Sequence, residues 1–255
     1  MNDALHARFS AVSVVVIIPA LNEQDSIGQV VRAVPRWVKR IIVCDNGSTD
    51  ATAHEAAAAG AAVIHVPQRG YGSACLAGCA AATEADILVF VDGDLSDYPD
   101  RMDALVGPIV DGRADMVLGS RTLGQRERGS LLPQQRFGGW LACGLIRIFW
   151  KYRYTDLGPF RAIRKSSYDK LNMDDPNFGW TVQMQIRAVA TALRIEEVPV
   201  DYRCRIGRSK ISGTIRGIIG AGIKIFYTIG TELFRRRQMP ASKRDAPSVI
   251  GRSNI

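Results

Sequence analysis

Three aspartates fall within six residues at the end of an apolar run. Ile87 to Val91 reads ILVFV, and it stops at Asp92, with Gly93, Asp94 and, three positions further on, Asp97 behind it. Two carboxylates on one short turn can reach the same hard divalent cation, directly or through water, because such ions take oxygen ligands and bridge substrate phosphates. The same residues are also ordinary turn formers. Two further acid-bearing segments bear on the choice: PALNE at 19–23 and DNGSTD at 45–50. Asp45 is suited to accept from an N–H of a nucleobase, and Asn22 and Glu23 to hold base or ribose. Such groups do chemistry together only if the chain brings them to one place.

The elements between them supply that condition. Val12 to Ile18 is a β-branched run that predicts a buried parallel strand. A helix follows from Asp25 or Ser26 to Val34, closed by Pro35. Arg40–Cys44 and Ala62–Val66 predict two more strands, separated by an alanine-rich helix that starts at Thr49 or Asp50 and stops at Gly60. A Gly/Ala-rich helix over 70–82 precedes a fourth strand, Ile87–Val91, and Met116–Leu118 is a fifth. This alternation predicts an α/β fold with a mostly parallel central sheet flanked by helices. In such sheets ligands bind beyond the carboxyl ends of the strands, where the three acid-bearing segments lie. In the second half, 124–135 reads as a polar loop. Trp140–Trp150 and Trp180–Leu193 read as helices, 158–164 and Ile195–Val200 as strands. From Ile211 a helical period places apolar residues at 215, 218, 222, 225, 229 and 233.

Composition narrows the class. With 255 residues, 47% of them hydrophobic, the chain can bury a large core. The net charge is +8, and 203–244 holds eleven Lys/Arg against one acid, Glu232. Such a tail suits nucleic acid or an anionic membrane surface. It lacks the interleaved aromatics of a single-strand binder, so nucleic acid is set aside. Five cysteines without a CxxC, and three histidines without metal spacing, read as reduced thiols in a cytoplasmic setting. Cys75 and Cys79, one helical turn apart, are assigned to the core. No signal peptide is expected, and no run reaches the roughly 20 apolar residues of a spanning helix.

The ordered motifs resemble family 2 glycosyltransferases of the GT-A fold, and among them the dolichyl- and polyprenyl-phosphate sugar synthases. PALNE, DNGSTDAT, GYGSA (70–74) and DGDLSDYP (92–99) match the nucleotide-binding half; GSR (119–121), DLGPFRAIR (156–164), FGWTVQMQ (178–185) and RIGRSK (205–210) follow in family order. The resemblance spans roughly 12–215. It implies a GT-A domain over 10–210, an amphipathic helix over 211–237 that can dock on an anionic membrane face, and a disordered basic tail over 238–255.

The resemblance also implies roles. Pro19, Ala20, Asn22, Glu23 and Asp45 line the base and ribose pocket, and Gly70 and Gly72 let the backbone pass close to the nucleotide. Asp92 faces the sugar, while Asp94 lies nearest a Mg²⁺ or Mn²⁺ ion. Where many synthases carry Gln two places after the second Asp, this chain has Ser96, a hydroxyl suited to take part through water. Asp97 reads as a turn or helix-start residue. Arg121 and Arg136 hold an acceptor phosphate, and Arg205, Ser209 and Lys210 close over the diphosphate. Many relatives offer a glutamate base where this chain has Gln183, and an amide cannot take a proton. A lipid phosphate, already ionised, therefore fits better than a hydroxyl, although Asp156 can act as a base for a hydroxyl.

The implied activity is inverting transfer of a hexose from UDP-glucose or GDP-mannose to polyprenyl phosphate. A non-lipid hydroxyl acceptor, or nucleotide-sugar binding without catalysis, stands as the alternative. Donor identity and oligomeric state are left open.

Overall fold

A computed structural model describes residues 8–207 and 215–238, with side chains placed outside 215–223. Seven strands, β1 (Val14–Ala20), β2 (Arg40–Asp45), β3 (Ala62–His65), β4 (Ile87–Phe90), β5 (Met116–Ser120), β6 (Arg161–Arg164) and β7 (Ile195–Pro199), form one sheet in the order β3-β2-β1-β4-β6-β5-β7. All neighbours pair in parallel except β6, which runs antiparallel to both β4 and β5. The expected α/β class with a mostly parallel, helix-flanked sheet is borne out.

All seven residues of β1 are buried, because the sheet is covered on both faces. Val15 and Ile17 enter one apolar cluster with Ile42 and Cys44, while Val14, Val16 and Ile18 enter the other with Val43 and Val89. Each such aliphatic side chain contributes about 1.5–3 kcal/mol when fully removed from water. Helices α1 (Ile27–Ala33), α2 (Thr52–Ala58) and α4 (Asp103–Val110) cover the second face. The first face carries α3 (Tyr71–Ala81), α5 (Pro133–Trp150), α6 (Lys165–Leu171), α7 (Trp180–Ala190) and α8 (Ile215–Gln238). The glycines and alanines of α3 let it lie close on the sheet: a Cβ on Gly78 would meet Ile17 Cγ2 at 2.5 Å. Cys75 and Cys79 are buried there as free thiols, and burial pushes Cys79 up to about 12.

Two helices escape the sequence pattern. In α4, Gly107 and Pro108 sit inside the helix, and both residue types argue against one. Burial of Leu105, Val106 and Ile109 overrides that preference. Helix α6 is only seven residues long, too short to show a period.

The C-terminal helix α8 turns its apolar period towards the protein. Its periodic face at Ile225, Ile229 and Leu233 packs on the core, so those positions face the protein and not a membrane. A charged clasp holds it there. The Glu232 carboxylate accepts from Arg187 at 2.7 Å and from Gln183 at 3.1 Å; Lys224 pairs with Asp175 at 3.1 Å, and Arg235 with Asp174 at 2.7 Å. Among the described residues no helix is long and apolar enough to cross a membrane.

Arg187 and Glu232 each keep only 7% of their side-chain surface exposed. Removing one member of a buried pair strands the other charge, so Glu232→Ala is expected to cost roughly 3 kcal/mol. Urea unfolding followed by circular dichroism measures it. The exposed pair Lys165–Asp169 is the control, where Asp169→Ala is expected to cost about 0.5 kcal/mol or less.

Candidate active site

The carboxyl ends of β1, β2 and β4 are brought together by strand register. Ala20 lies opposite Asp45, and the Val91 amide donates to Ile17 O at 3.3 Å. The chain leaves β4 as it passes β1, and Gly93 settles against Pro19 and Ala20, where a Cβ would come within 3.5 Å of Pro19 O. Ser26, at the start of α1, caps nothing in its own helix; its hydroxyl donates to Gly93 O at 2.8 Å and ties the first loop to the acidic turn.

A cavity of about 410 Å³ opens at this junction. Of the residues singled out in the sequence, Pro19, Ala20, Glu23, Gly70, Asp92, Asp94 and Arg205 line it. Asn22 and Asp45 stand behind the wall and brace it. The Asn22 amide donates to Ser48 Oγ at 2.9 Å, and its side-chain oxygen accepts from the Thr49 amide at 2.8 Å. Asp45 accepts from the Ser48 amide at 3.0 Å, with His65 Nδ1 at 3.4 Å from its other oxygen.

Sequence reasoning missed Asn46, Arg69, Asn177 and Phe178, which also line the cavity. The Asn46 side chain is a pin: it donates to Gln68 O at 2.7 Å and accepts from the Gly70 amide at 2.7 Å, fixing the loop that carries Arg69. Its place inside DNGSTD was the available signal. Phe178 had only its place at the head of FGWTVQMQ, and Asn177 had none, because both reach the site from a hundred residues away.

That distant segment changes the reading of two glycines. Expected to make room for a nucleotide, Gly70 and Gly72 in fact make room for the chain itself. A Cβ on Gly70 would lie 2.1 Å from Pro176 O, and one on Gly72 2.0 Å from Asp175 O. Gly70 also has φ +138°, a conformation that side chains disfavour.

The acidic turn carries the strongest electrostatic signature. Asp92 Oδ1 accepts from Tyr71 Oη at 3.1 Å, and burial followed by the neighbouring Asp94 charge pushes Asp92 up to about 7. Asp94 Oδ1 accepts from Ser96, from the amide at 3.0 Å and from the hydroxyl at 2.5 Å. Ser96 thus orients Asp94. Arg205 supplies the compensating charge, with Nη1 3.2 Å from Asp94 Oδ2 and Nη2 donating to Glu23 Oε1 at 2.9 Å.

Asp97 corrects its assignment as a turn residue. It is fully buried, neither carboxyl oxygen has a hydrogen-bond partner, and burial with Asp92 and Asp94 nearby holds its pKa well above the usual value. A neutral carboxyl is the form such surroundings favour.

Among the described residues no group of three His, Cys, Asp or Glu converges as a closed metal cage. Asp92 and Asp94 fit a different site, a hard cation held by two carboxylates with the remaining positions left to substrate oxygens. The mutual repulsion that raises Asp92 is what such a cation relieves.

Beyond the acidic turn stands a separate cationic group. Arg121 follows β5 and forks onto Asp156, Nε to Oδ2 at 2.7 Å and Nη2 to Oδ1 at 2.8 Å. Its backbone amide adds a third bond at 2.9 Å, and its guanidinium lies over the Tyr202 ring at 5.0 Å. Burial works to raise the pKa of Asp156, but these bonds outweigh it and hold the carboxylate below its ordinary range. Arg136 stays on the exposed flank of α5, outside the cavity lining. Gln183 does not face the cavity; its side chain is spent on Glu232, Asp174 and two backbone amides of the 174–175 segment. Ser209 and Lys210 lie outside the described residues.

The model of glycosyl transferase family 2 matches residues 15–172. An uncharacterised glycosyltransferase of Mycobacterium tuberculosis is 35% identical over 225 residues, which cover 85% of this chain and 98% of that protein. A glucosyl-3-phosphoglycerate synthase of Mycolicibacterium smegmatis is 41% identical over 120 residues, 42% of this chain and 39% of that one. The solved glucosyl-3-phosphoglycerate synthase of Mycobacterium tuberculosis, in complex with Mn²⁺, UDP and glucosyl-3-phosphoglycerate, superimposes with a TM-score of 0.73 at 24% identity. That superposition covers 90% of this chain and 83% of the solved one, and the two share a fold.

The close approach at Gly72 is testable by stability. Gly72→Ala pushes a methyl into backbone that cannot yield cheaply, and is expected to destabilise by about 1–3 kcal/mol. Gly139→Ala, on α5 with open space around the added carbon, is expected to stabilise by up to about 1 kcal/mol. Urea midpoints of the two variants against the parent chain report both.

Proposed function

The chain belongs to glycosyl transferase family 2, and from that premise we propose that it moves a hexose, with inversion, from UDP-hexose to a hydroxyl of a small, anionic, non-lipid acceptor. The observation that carries this reading is a pairing. A cavity of about 410 Å³ is lined by Asp92 and Asp94, and Arg121, whose charge reaches Asp92, is held in a fork by Asp156. The donor side agrees with the Mn²⁺ and UDP named for the solved synthase, and the acceptor side with its phosphorylated product.

In this reading Pro19, Ala20 and Glu23 bound the nucleoside, with Asn22 and Asp45 bracing them. Asp94 and Asp92 hold Mg²⁺ or Mn²⁺, which when bound offsets the charge that grows on the departing diphosphate. Arg205, tied to Asp94 and Glu23, would offer its guanidinium to the diphosphate, and Ser209 and Lys210 would join it in that role. Arg121 is pre-set for a phosphate or carboxylate, because Asp156 fixes the plane of its guanidinium before the acceptor arrives. Arg136, standing apart, would meet only an acceptor that extends past the cavity.

One observation favours a second reading. Asp156 gives both oxygens to Arg121 and accepts from the Arg121 and Leu157 amides, which makes it a weak base. A phosphate monoester arrives ionised and needs no base, so polyprenyl phosphate is the acceptor of that second reading. Gln183, turned towards α8, supplies no argument for either.

Radiolabelled UDP-glucose and GDP-mannose, each with Mn²⁺ or Mg²⁺, separate these readings when offered 3-phosphoglycerate, short-chain polyprenyl phosphate or no acceptor. Transfer from UDP-glucose to the hydroxy acid is the expected result. Product only with the lipid phosphate installs the second reading, and donor binding without turnover on any acceptor sinks both. Asp94→Asn is expected to lower turnover about 100-fold or more, and to remove the metal-dependent part of UDP binding in a thermal-shift titration.

A further inference from the structure

Ten large apolar side chains stand exposed among the described residues, and seven of them are on α5 and α8. On α5 they form a stripe. Phe137, Trp140 and Ile148 follow one helical face with Gly144 between them, and the Phe137 and Trp140 rings lie 5.9 Å apart. Trp140 keeps 70% of its surface in solvent. The outward side of α8 presents Tyr227 and Phe234, opposite the face that packs on the core, with the half-exposed Phe226 at the border between the two. The two helices touch: Arg236 donates to Phe149 O at the end of α5. An aromatic surface of this extent is not needed to cover the core, since the inward faces already do that.

Charge decides what this surface meets. Helix α5 contains no Asp or Glu, and the one acid of α8, Glu232, is buried in the clasp. Arg136, Arg147, Lys151 and Arg153 flank the α5 stripe, and Arg235 to Arg237 end α8. A second copy of the same face would set these like charges against one another. An anionic bilayer offers what both features require: headgroup phosphates for the guanidinium groups, and an interfacial region where Trp, Tyr and Phe are favoured.

We infer that the joint outer face of α5 and α8 docks the enzyme on anionic phospholipid membranes. The protein lies on the surface, and among the described residues no helix is long and apolar enough to cross it. Docking is independent of the acceptor: it concerns where the enzyme sits, whichever hydroxyl or phosphate it modifies.

The test uses the full chain with vesicles of phosphatidylcholine alone or with phosphatidylglycerol added, and no polyprenyl phosphate. Co-sedimentation with the anionic vesicles is expected, weakened by 0.5 M salt, together with a blue shift of tryptophan emission. Trp140 is the exposed reporter, since Trp150 and Trp180 are buried and Trp37 is partly buried with the apolar cluster on the other face of the sheet. Trp140→Phe should keep binding but lose most of the shift. Phe137→Glu with Phe234→Glu, and separately Arg147→Glu with Arg237→Glu, should each weaken binding roughly tenfold or more. Their circular dichroism and soluble transfer activity should stay unchanged, because none of these residues lines the cavity. Equal affinity for neutral vesicles, no binding to either kind, or a dimer in solution that shields Trp140 from quenchers would each overturn the inference.

Discussion

Negative charge crowded at the carboxyl edge of the sheet is the constraint on which the rest of this structure depends. Glu23, Asp92, Asp94, Asp97 and Asp156 all lie at or behind that edge, and apolar strands leave little water to screen them. The chain answers in three ways. Arg205 bridges two of the carboxylates, Arg121 forks onto a third, and Asp97 is held where the neutral form is favoured. Neither arginine belongs to the nucleotide-binding half in sequence, so the second half of the chain is needed to make the first half electrostatically tolerable. A residual excess remains at Asp92 and Asp94, and that excess is what a substrate-bound cation would use.

Much of this edge was legible in the sequence because its parts are local. Continuous β-branched runs announce buried parallel strands, and DGDLSD directly after ILVFV announces carboxylates at a strand end. The order of the motifs singled out Arg121, Asp156 and Arg205, whose charges the fold brings near the acidic turn. Features fixed by distant partners were not legible. Gly70 and Gly72 looked like ligand glycines because the carbonyls of Asp175 and Pro176, which demand them, are a hundred positions away. Gln183 looked like a vacant base position because its partner Glu232 is 49 residues on. Asp97 looked like a turn residue because burial leaves no mark in a polar motif. Helix α4 was hidden by Pro108, whose intrinsic cost is met by packing that no local window contains.

The clasp on α8 gives the C-terminal helix two unlike sides. Its inward side is held by Ile229 and Leu233 among apolar neighbours, and by ion pairs to Arg187, Asp174 and Asp175. Both acids of the 174–175 segment are taken up in this contact; the next two residues of the same segment, Pro176 and Asn177, press on α3, and Asn177 lines the cavity. Helix α8 therefore supports a wall of the cavity, and none of its described side chains lines it.

The Pro176 contact also bears on modularity. Ser73 donates to Pro176 O from both its amide and its hydroxyl, across 103 residues of sequence, and the neighbouring glycines admit no side chain there. The cavity is thus a seam between two halves of the chain and cannot be inherited as a cassette. A chimera that took residues 1–100 from one relative and the remainder from another would carry a mismatched seam unless GYGSA and the 174–178 loop travelled as a pair. Covariation between those two short stretches, more than identity within either, is the trace this packing should leave among descendants of a common ancestor.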